Sequence, residues 1–154
     1  MTSLRERFMP DMKEAMKAGE KEKVAAIRLI VAALKEKDIE ARGAGRGEAS
    51  AEEILGVLQK MIKQRQESAE VYDKGGRPEL AEGERAEIAV ISGFLPAQMS
   101  EDEVKAAIAA AVAATGAASM KDMGKVVAEL RGKFAGRMDF GKASGLVKAA
   151  LSGG

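Results

Sequence analysis

Six cations in the last third of the chain, Lys121, Lys125, Lys133, Arg137, Lys142 and Lys148, are the side chains whose type and spacing point to chemistry, and that chemistry is the holding of anions. Lys121 and Lys125 are four residues apart, the spacing that stacks two side chains on one helical face. Two ammonium groups there can straddle phosphates as point charges. Gly124 lies between them, and in a helix interior a glycine costs about 1 kcal/mol relative to alanine. Close approach of a neighbouring helix, or of a phosphate backbone, would each account for it. Lys133, Arg137 and Lys142 flank a stretch that contains Gly132, Gly136 and Gly141. A glycine-rich basic turn ahead of a helix can offer its amides to a phosphate. No Gly-Lys-Ser/Thr ending follows, so this is not a Walker-type nucleotide loop. Asp139 is read as the cap of the next helix rather than as a metal ligand.

Most other catalytic chemistry is excluded by composition. The 154 residues include no histidine and no cysteine. A Ser-His-Asp triad, a His-ligated zinc, a thiolate metal site and a disulfide framework are therefore impossible. The chain has one tyrosine, Tyr72, and no tryptophan, so stacking platforms for unpaired bases are essentially missing. A second polar face, with Lys60, Lys63 and Arg65 among Gln59, Gln64 and Gln66, has two readings: a solvated helix surface, or a surface that hydrogen-bonds phosphates and 2′-hydroxyls. Acidic runs such as Glu52-Glu53 and Glu101-Asp102-Glu103 fall where first helical turns are expected. There they complement the helix dipole.

Charge is unevenly spread. The net charge is +1, yet residues Met1 to Leu95 hold 17 basic and 18 acidic side chains while Val104 to Gly154 hold 8 basic and 3 acidic. The C-terminal third is thus +5, which favours an anionic partner.

The elements that must position these groups are helices. Aromatics are 3%, period-two alternation is absent, and alanine, lysine, glutamate, leucine and methionine dominate. Punctuation places about seven helices. The first runs from about Ser3 to Ala18, with Leu4, Phe8, Met12 and Ala15 or Met16 as its apolar stripe. The second runs from about Glu20 to Ala41, burying Val24, Ile27, Ile30, Val31 and Leu34. A glycine-rich loop, Arg42 to Gly47, follows and could act as a hinge for the first two helices. Ser50 with Glu53 makes a capping box for the third, and Pro78 suits the first turn of the fourth, which carries Leu80, Ile88, Ile91 and Leu95. Phe94-Leu95-Pro96 breaks the pattern. Beyond it, Ser100 with Glu103 opens a fifth helix that stops at Gly116. Ser119 opens a sixth, and Asp139 or the Phe140-Gly141 turn a seventh with Leu146, Val147 and Leu151. The expected architecture is all-α, with a four-helix N-terminal domain over residues 1–95 and a three-helix C-terminal domain over residues 96–154.

Two stretches then carry a resemblance. One is Val57 to Ser68, followed by Tyr72 and Gly75-Gly76-Arg77. The other is Phe94-Leu95-Pro96, Thr115-Gly116, Lys121 to Val127, Gly136, Asp139, Gly141-Lys142 and Leu146-Val147-Lys148. Together they resemble the GatB/YqeY family across essentially the whole chain. The closer likeness is to the free-standing YqeY-like proteins, because the large catalytic domain of the amidotransferase B subunit is missing. The resemblance implies that the C-terminal bundle is similar to the region that binds tRNA in the glutamyl/aspartyl-tRNA amidotransferase. That complex amidates misacylated Glu- or Asp-tRNA with ammonia from glutamine. Free-standing members are described as carbon–nitrogen ligases with glutamine as amido donor. The amidase nucleophile and the nucleotide site belong to domains this chain does not contain.

The function expected from these observations is tRNA binding by an accessory protein, through the six cations named above. A protein–protein adaptor that docks on an amidotransferase or another tRNA enzyme is the alternative, and a free-standing enzyme ranks last. No cofactor or metal is expected. The acids Glu6, Asp11 and Glu14 do not fit an organelle presequence, no apolar run spans a bilayer, and the absence of cysteine suits the cytoplasm, where the protein is expected.

Overall fold

Ser3 starts the first helix by accepting the Glu6 amide on its hydroxyl, and similar local signals set most of the helix boundaries that follow. The computed structural model describes residues 3–152. They form helices α1 (Leu4–Lys17), α2 (Lys21–Gly43), α3 (Ala51–Lys74), α4 (Pro78–Ser92), α5 (Glu101–Thr115), α6 (Met123–Phe134) and α7 (Phe140–Ser152), with a 3-10 turn at Met120–Asp122. No strand occurs among the described residues. Capping boxes close the N-termini of α3 (Ser50, Glu53) and α5 (Ser100, Glu103). Gly116 ends α5 at φ 65°, a left-handed conformation that costs glycine nothing. The chain divides into two compact units, Met1–Leu95 and Pro96–Gly154.

In the N-terminal unit, α1 and α2 lie against the α3–α4 hairpin. Their core is Phe8, Ile27, Ile30, Leu34, Ile54, Leu58, Met61, Ile91 and Phe94. The Phe8 and Phe94 rings meet edge to face at 5.1 Å, an arrangement the ring quadrupoles favour. Phe94, at the end of the fourth helical stretch, therefore belongs to this core. Of the two alternatives in α1, Ala15 is buried and Met16 exposed; Leu80 departs from the sequence expectation, being exposed while Ala81 takes the buried place beside it. A helical period fixes the angle between residues but not which angle is covered, so a small residue can hold the core side.

One buried polar group organises this unit. Asp38 sits on the inner side of α2 and accepts two 2.9 Å hydrogen bonds from the Arg5 guanidinium, and a third, also 2.9 Å, from the Ala49 amide. Arg5 also donates to the Ala49 carbonyl at 3.0 Å. The start of α1, the end of α2 and the loop before α3 are thereby tied at one point. The loop is closed further by the Arg46 amide on the Ala41 carbonyl at 2.8 Å. The stretch expected as a hinge is thus anchored at both ends.

The C-terminal unit packs α5, α6 and α7 around Ile108, Ala111, Val126, Leu130, Met138, Ala143 and Val147. The entering segment is laced to the α6–α7 turn. The Met99 amide donates to the Arg137 carbonyl at 2.9 Å, Arg137 Nε–H to the Ala97 carbonyl at 2.9 Å, and Gln98 to the Gly136 carbonyl at 2.6 Å. Gly136 makes this turn at φ 79°. Leu146, expected in the core stripe of α7, is exposed, because Ala143 and Val147 set the buried angle.

Candidate nucleic-acid interface

The Ser119 start expected for the sixth helix opens a 3-10 turn, and α6 itself begins at Met123. Asp122 holds the turn, its carboxylate accepting the Ala118 amide at 3.0 Å and the Ser119 amide at 3.4 Å. Those amide bonds pull its pKa below the usual carboxylate value. Lys121 lies on the 3-10 turn, which packs against α7 and runs directly into α6, where Lys125 stands. Gly124 falls in the first turn of α6, where glycine costs little. A Cβ built there meets nothing within 4 Å among the described residues, so no described helix explains its small size.

Asp139 caps α7. Its Oδ1 accepts the Gly141 amide at 2.8 Å and the Lys142 amide at 3.3 Å. The Gly141 and Lys142 amides, at the start of α7, are therefore already occupied by this carboxylate. Anion binding by the turn itself is replaced by internal capping.

The six predicted cations separate into kinds. Lys121, Lys142 and Lys148 are exposed and make no ion pair or side-chain hydrogen bond among the described residues. Lys125 is 72% exposed and only loosely paired with Asp122 at 3.9 Å. Lys133 pairs with Glu129 at 2.9 Å. Arg137 is committed to structure through Ala97 and lies over the Phe134 ring at 5.8 Å. On α3, Arg65 is likewise structural, bonded to Glu87 at 2.7 Å and to the Met61 carbonyl at 3.1 Å.

A pattern missed in reading the sequence links the exposed cations. Asp122-Met123-Gly124-Lys125-Val126-Val127-Ala128-Glu129-Leu130-Arg131 repeats, 17 residues on, as Asp139-Phe140-Gly141-Lys142-Ala143-Ser144-Gly145-Leu146-Val147-Lys148. Burial follows the repeat. Val126 and Leu130 match Ala143 and Val147 on the buried side, and Gly124, Lys125, Ala128 and Arg131 match Gly141, Lys142, Gly145 and Lys148 on the exposed side. Residues six apart are about 120° apart around a helix, so each cation pair borders a midline of small residues. In α6 that midline is Ala128 and in α7 it is Gly145. Arg131 lies over the Phe140 ring at 5.4 Å, which joins one copy to the other. The signal was in the sequence, but only aligning it against itself exposes it.

Gly145 is interior to α7, and a Cβ there meets nothing within 4 Å. Gly145→Ala is expected to stabilise the protein by about 0.5–1 kcal/mol, read as a raised midpoint in denaturant. A lowered midpoint would mean the position is not free.

Among the described residues no group of three or more acidic side chains is placed to hold a metal ion. No single helix there is long and apolar enough to cross a membrane.

Fold and surface together define a class: an all-helical protein of two compact units, the second with a duplicated basic helix. A family model described as Yqey-like protein matches residues 5–151, and the chain belongs to that family. Two relatives are similar over part of their length, both named altered inheritance of mitochondria protein 41, mitochondrial. The one from Lachancea thermotolerans and the one from Vanderwaltozyma polyspora are each 33% identical over 85 residues, which is 55% of this chain and 44% of the relative. The matched stretch thus spans less than half of either relative.

Proposed function

We propose that the protein is a tRNA-binding accessory factor, with RNA held on the outward faces of α6 and α7. The observation that carries this reading is the repeat, which sets Lys125 and Arg131 on one helix and Lys142 and Lys148 on the next, each pair beside small residues. Lys121 adds an exposed ammonium on the turn packed against α7. Lysines reach phosphates as point charges. The small midlines let a ribose-phosphate backbone approach the helix closely. With few aromatic side chains, recognition is by shape and charge rather than by reading unpaired bases. The resemblance of the family to the amidotransferase tail supports tRNA as the polyanion. Any glutamine-dependent ligation would be done by a partner that supplies the amidase and nucleotide sites. The reading needs a compartment that holds tRNA. The cytoplasm expected from the sequence is one, and the mitochondrion in the relatives' names is another.

The test is fluorescence anisotropy of labelled tRNA with the full chain over a range of salt. Four to five phosphate contacts give a fall of log affinity with log salt of slope about −3 to −4. No measurable binding at low ionic strength, or an affinity indifferent to salt, rejects the proposal.

A further inference from the structure

The contact of Arg5 with Asp38 fixes how α1 lies on α2. It joins the start of one helix to the end of the next, so the two run antiparallel. On α1 the edge that Arg5 turns to α2 continues at four, seven and eleven residues through Met9, Met12 and Met16. On α2 the edge that holds Asp38 runs back at seven and fourteen residues through Val31 and Val24. Val24 is buried and Met12 and Val31 are half-buried, whereas Met9 is 47% and Met16 53% exposed. The outside of the α1–α2 hairpin is thus a shallow groove, with Met12, Val24 and Val31 as its floor and Met9 and Met16 as one wall.

The other wall is cationic. Lys21, Arg28, Lys35 and Arg42 recur every seven residues, each three or four residues from Val24, Val31 or Asp38. All four are exposed, and none makes an ion pair among the described residues. Successive members stand about 10.5 Å apart along the axis at 1.5 Å per residue. Ile39, 65% exposed, stands in this row between Lys35 and Arg42. The nearby acids do not cancel the row. Asp38 is held by Arg5 and the Ala49 amide, Glu48 faces Arg5 at 3.6 Å, Glu20 pairs with Lys23 at 4.0 Å and Glu40 with Lys37 at 3.1 Å. Glu22 and Glu36 lie about 100° round the helix from the cations of their own turn. On α1 the methionine wall is backed by exposed Lys13, and Glu6 stands a turn before Met9 at the end of the groove. The near-even charge count of residues 1–95 conceals this arrangement.

We propose that the α1–α2 groove docks an acidic amphipathic helix of another protein. Its apolar side chains would rest on Met9, Met16 and Ile39, and carboxylates at seven-residue spacing would meet Arg28, Lys35 and Arg42. Two features together choose the occupant. A ribose-phosphate backbone would satisfy the cations but leave Met9, Met16 and Ile39 uncovered, and a second copy of this face would bring cations to cations. An apolar stripe edged by carboxylates complements both walls, and methionine side chains adapt to the shapes laid on them. The groove belongs to the N-terminal unit and the α6–α7 surface to the other, so either can fail alone.

The experiment titrates a helical leucine–glutamate amphipathic peptide into the isotopically labelled full chain, with polyglutamate, a leucine–lysine peptide and tRNA in parallel. The leucine–glutamate peptide alone is expected to shift amides along residues 9–17 and 21–42. Arg28→Glu with Lys35→Glu, and separately Met9→Ser with Met16→Ser, are each expected to weaken its binding about tenfold or more. All four positions are exposed, and an unchanged thermal midpoint shows that the fold is kept. Shifts absent from these residues, unchanged affinity in either variant, equal binding of polyglutamate there, self-association that buries Met9 and Met16, or tRNA perturbing the same amides would each overturn the proposal.

Discussion

Lys125→Glu combined with Lys142→Glu is expected to lower tRNA affinity by about 100-fold at near-physiological salt, because each reversal removes a phosphate contact and adds a repulsion of comparable size. The two lysines hold equivalent places in the repeat, so the single variants are expected to weaken binding to a similar degree. That symmetry is the informative part, since a generally basic surface gives no reason for it. Neither change should disturb folding. Lys142 has no side-chain partner among the described residues, and Lys125 has only the loose 3.9 Å contact with Asp122. Exposed substitutions of this kind usually move stability by less than about 0.5 kcal/mol. Lys133→Glu is the comparison. Its charge is already countered by Glu129 at 2.9 Å and it lies outside the repeat, so a smaller loss is expected. Arg137→Glu is a poor comparison, because it breaks the bond to the Ala97 carbonyl. Equal losses for Lys133 and Lys142 would reduce the repeat to an accident of sequence.

The largest stability effect is expected at Asp38. Asp38→Ala removes both Arg5 bonds and leaves the Ala49 amide without its acceptor. The loss is expected to be about 2–3 kcal/mol, the range for hydrogen bonds to a charged group in a partly buried site. Chemical denaturation followed by circular dichroism measures it, and a change under about 0.5 kcal/mol would show that the three segments are not held together here. The same group sets a pH dependence. The Arg5 guanidinium first, then the Ala49 amide, hold the Asp38 carboxyl down at about 2, against a burial effect that raises it. A carboxyl depressed in the folded state favours folding fully above its unfolded value, 3.8, and that contribution fades as pH falls from there toward about 2. Wild-type stability should therefore drop across this window, and Asp38→Ala should drop less. Some slope will persist, because Glu53, Glu103 and Asp122 are also held below their usual values, chiefly by backbone amides.

The helices were legible because their signals are local. Ser50 with Glu53, Ser100 with Glu103, Pro78 and Gly116 act within one turn, and each stands where the sequence puts it. Asp38 was not legible. It sits in a run of charged residues on a helix that looks solvated, and its partners lie 33 residues upstream and 11 downstream. Nothing local distinguishes it from Glu36 or Glu40. Arg137 is similar, since its acceptor at Ala97 is 40 residues away and composition alone lists it with the free cations. Leu80 and Leu146 show the limit of periodicity, which gives relative angles while burial depends on what lies opposite. The basic surface was half legible. Charge counting found the lysines, whereas the 17-residue repeat that pairs Lys125 with Lys142 shows only when the sequence is aligned with itself.

Amide chemical-shift mapping of tRNA on the full, isotopically labelled chain tests the central claim most directly. Perturbations are expected along residues 121–131 and again along 139–149, rising together as tRNA is added and fading together as salt is raised. Perturbations confined to the N-terminal unit, or to one copy of the repeat while the other stays silent, would contradict it.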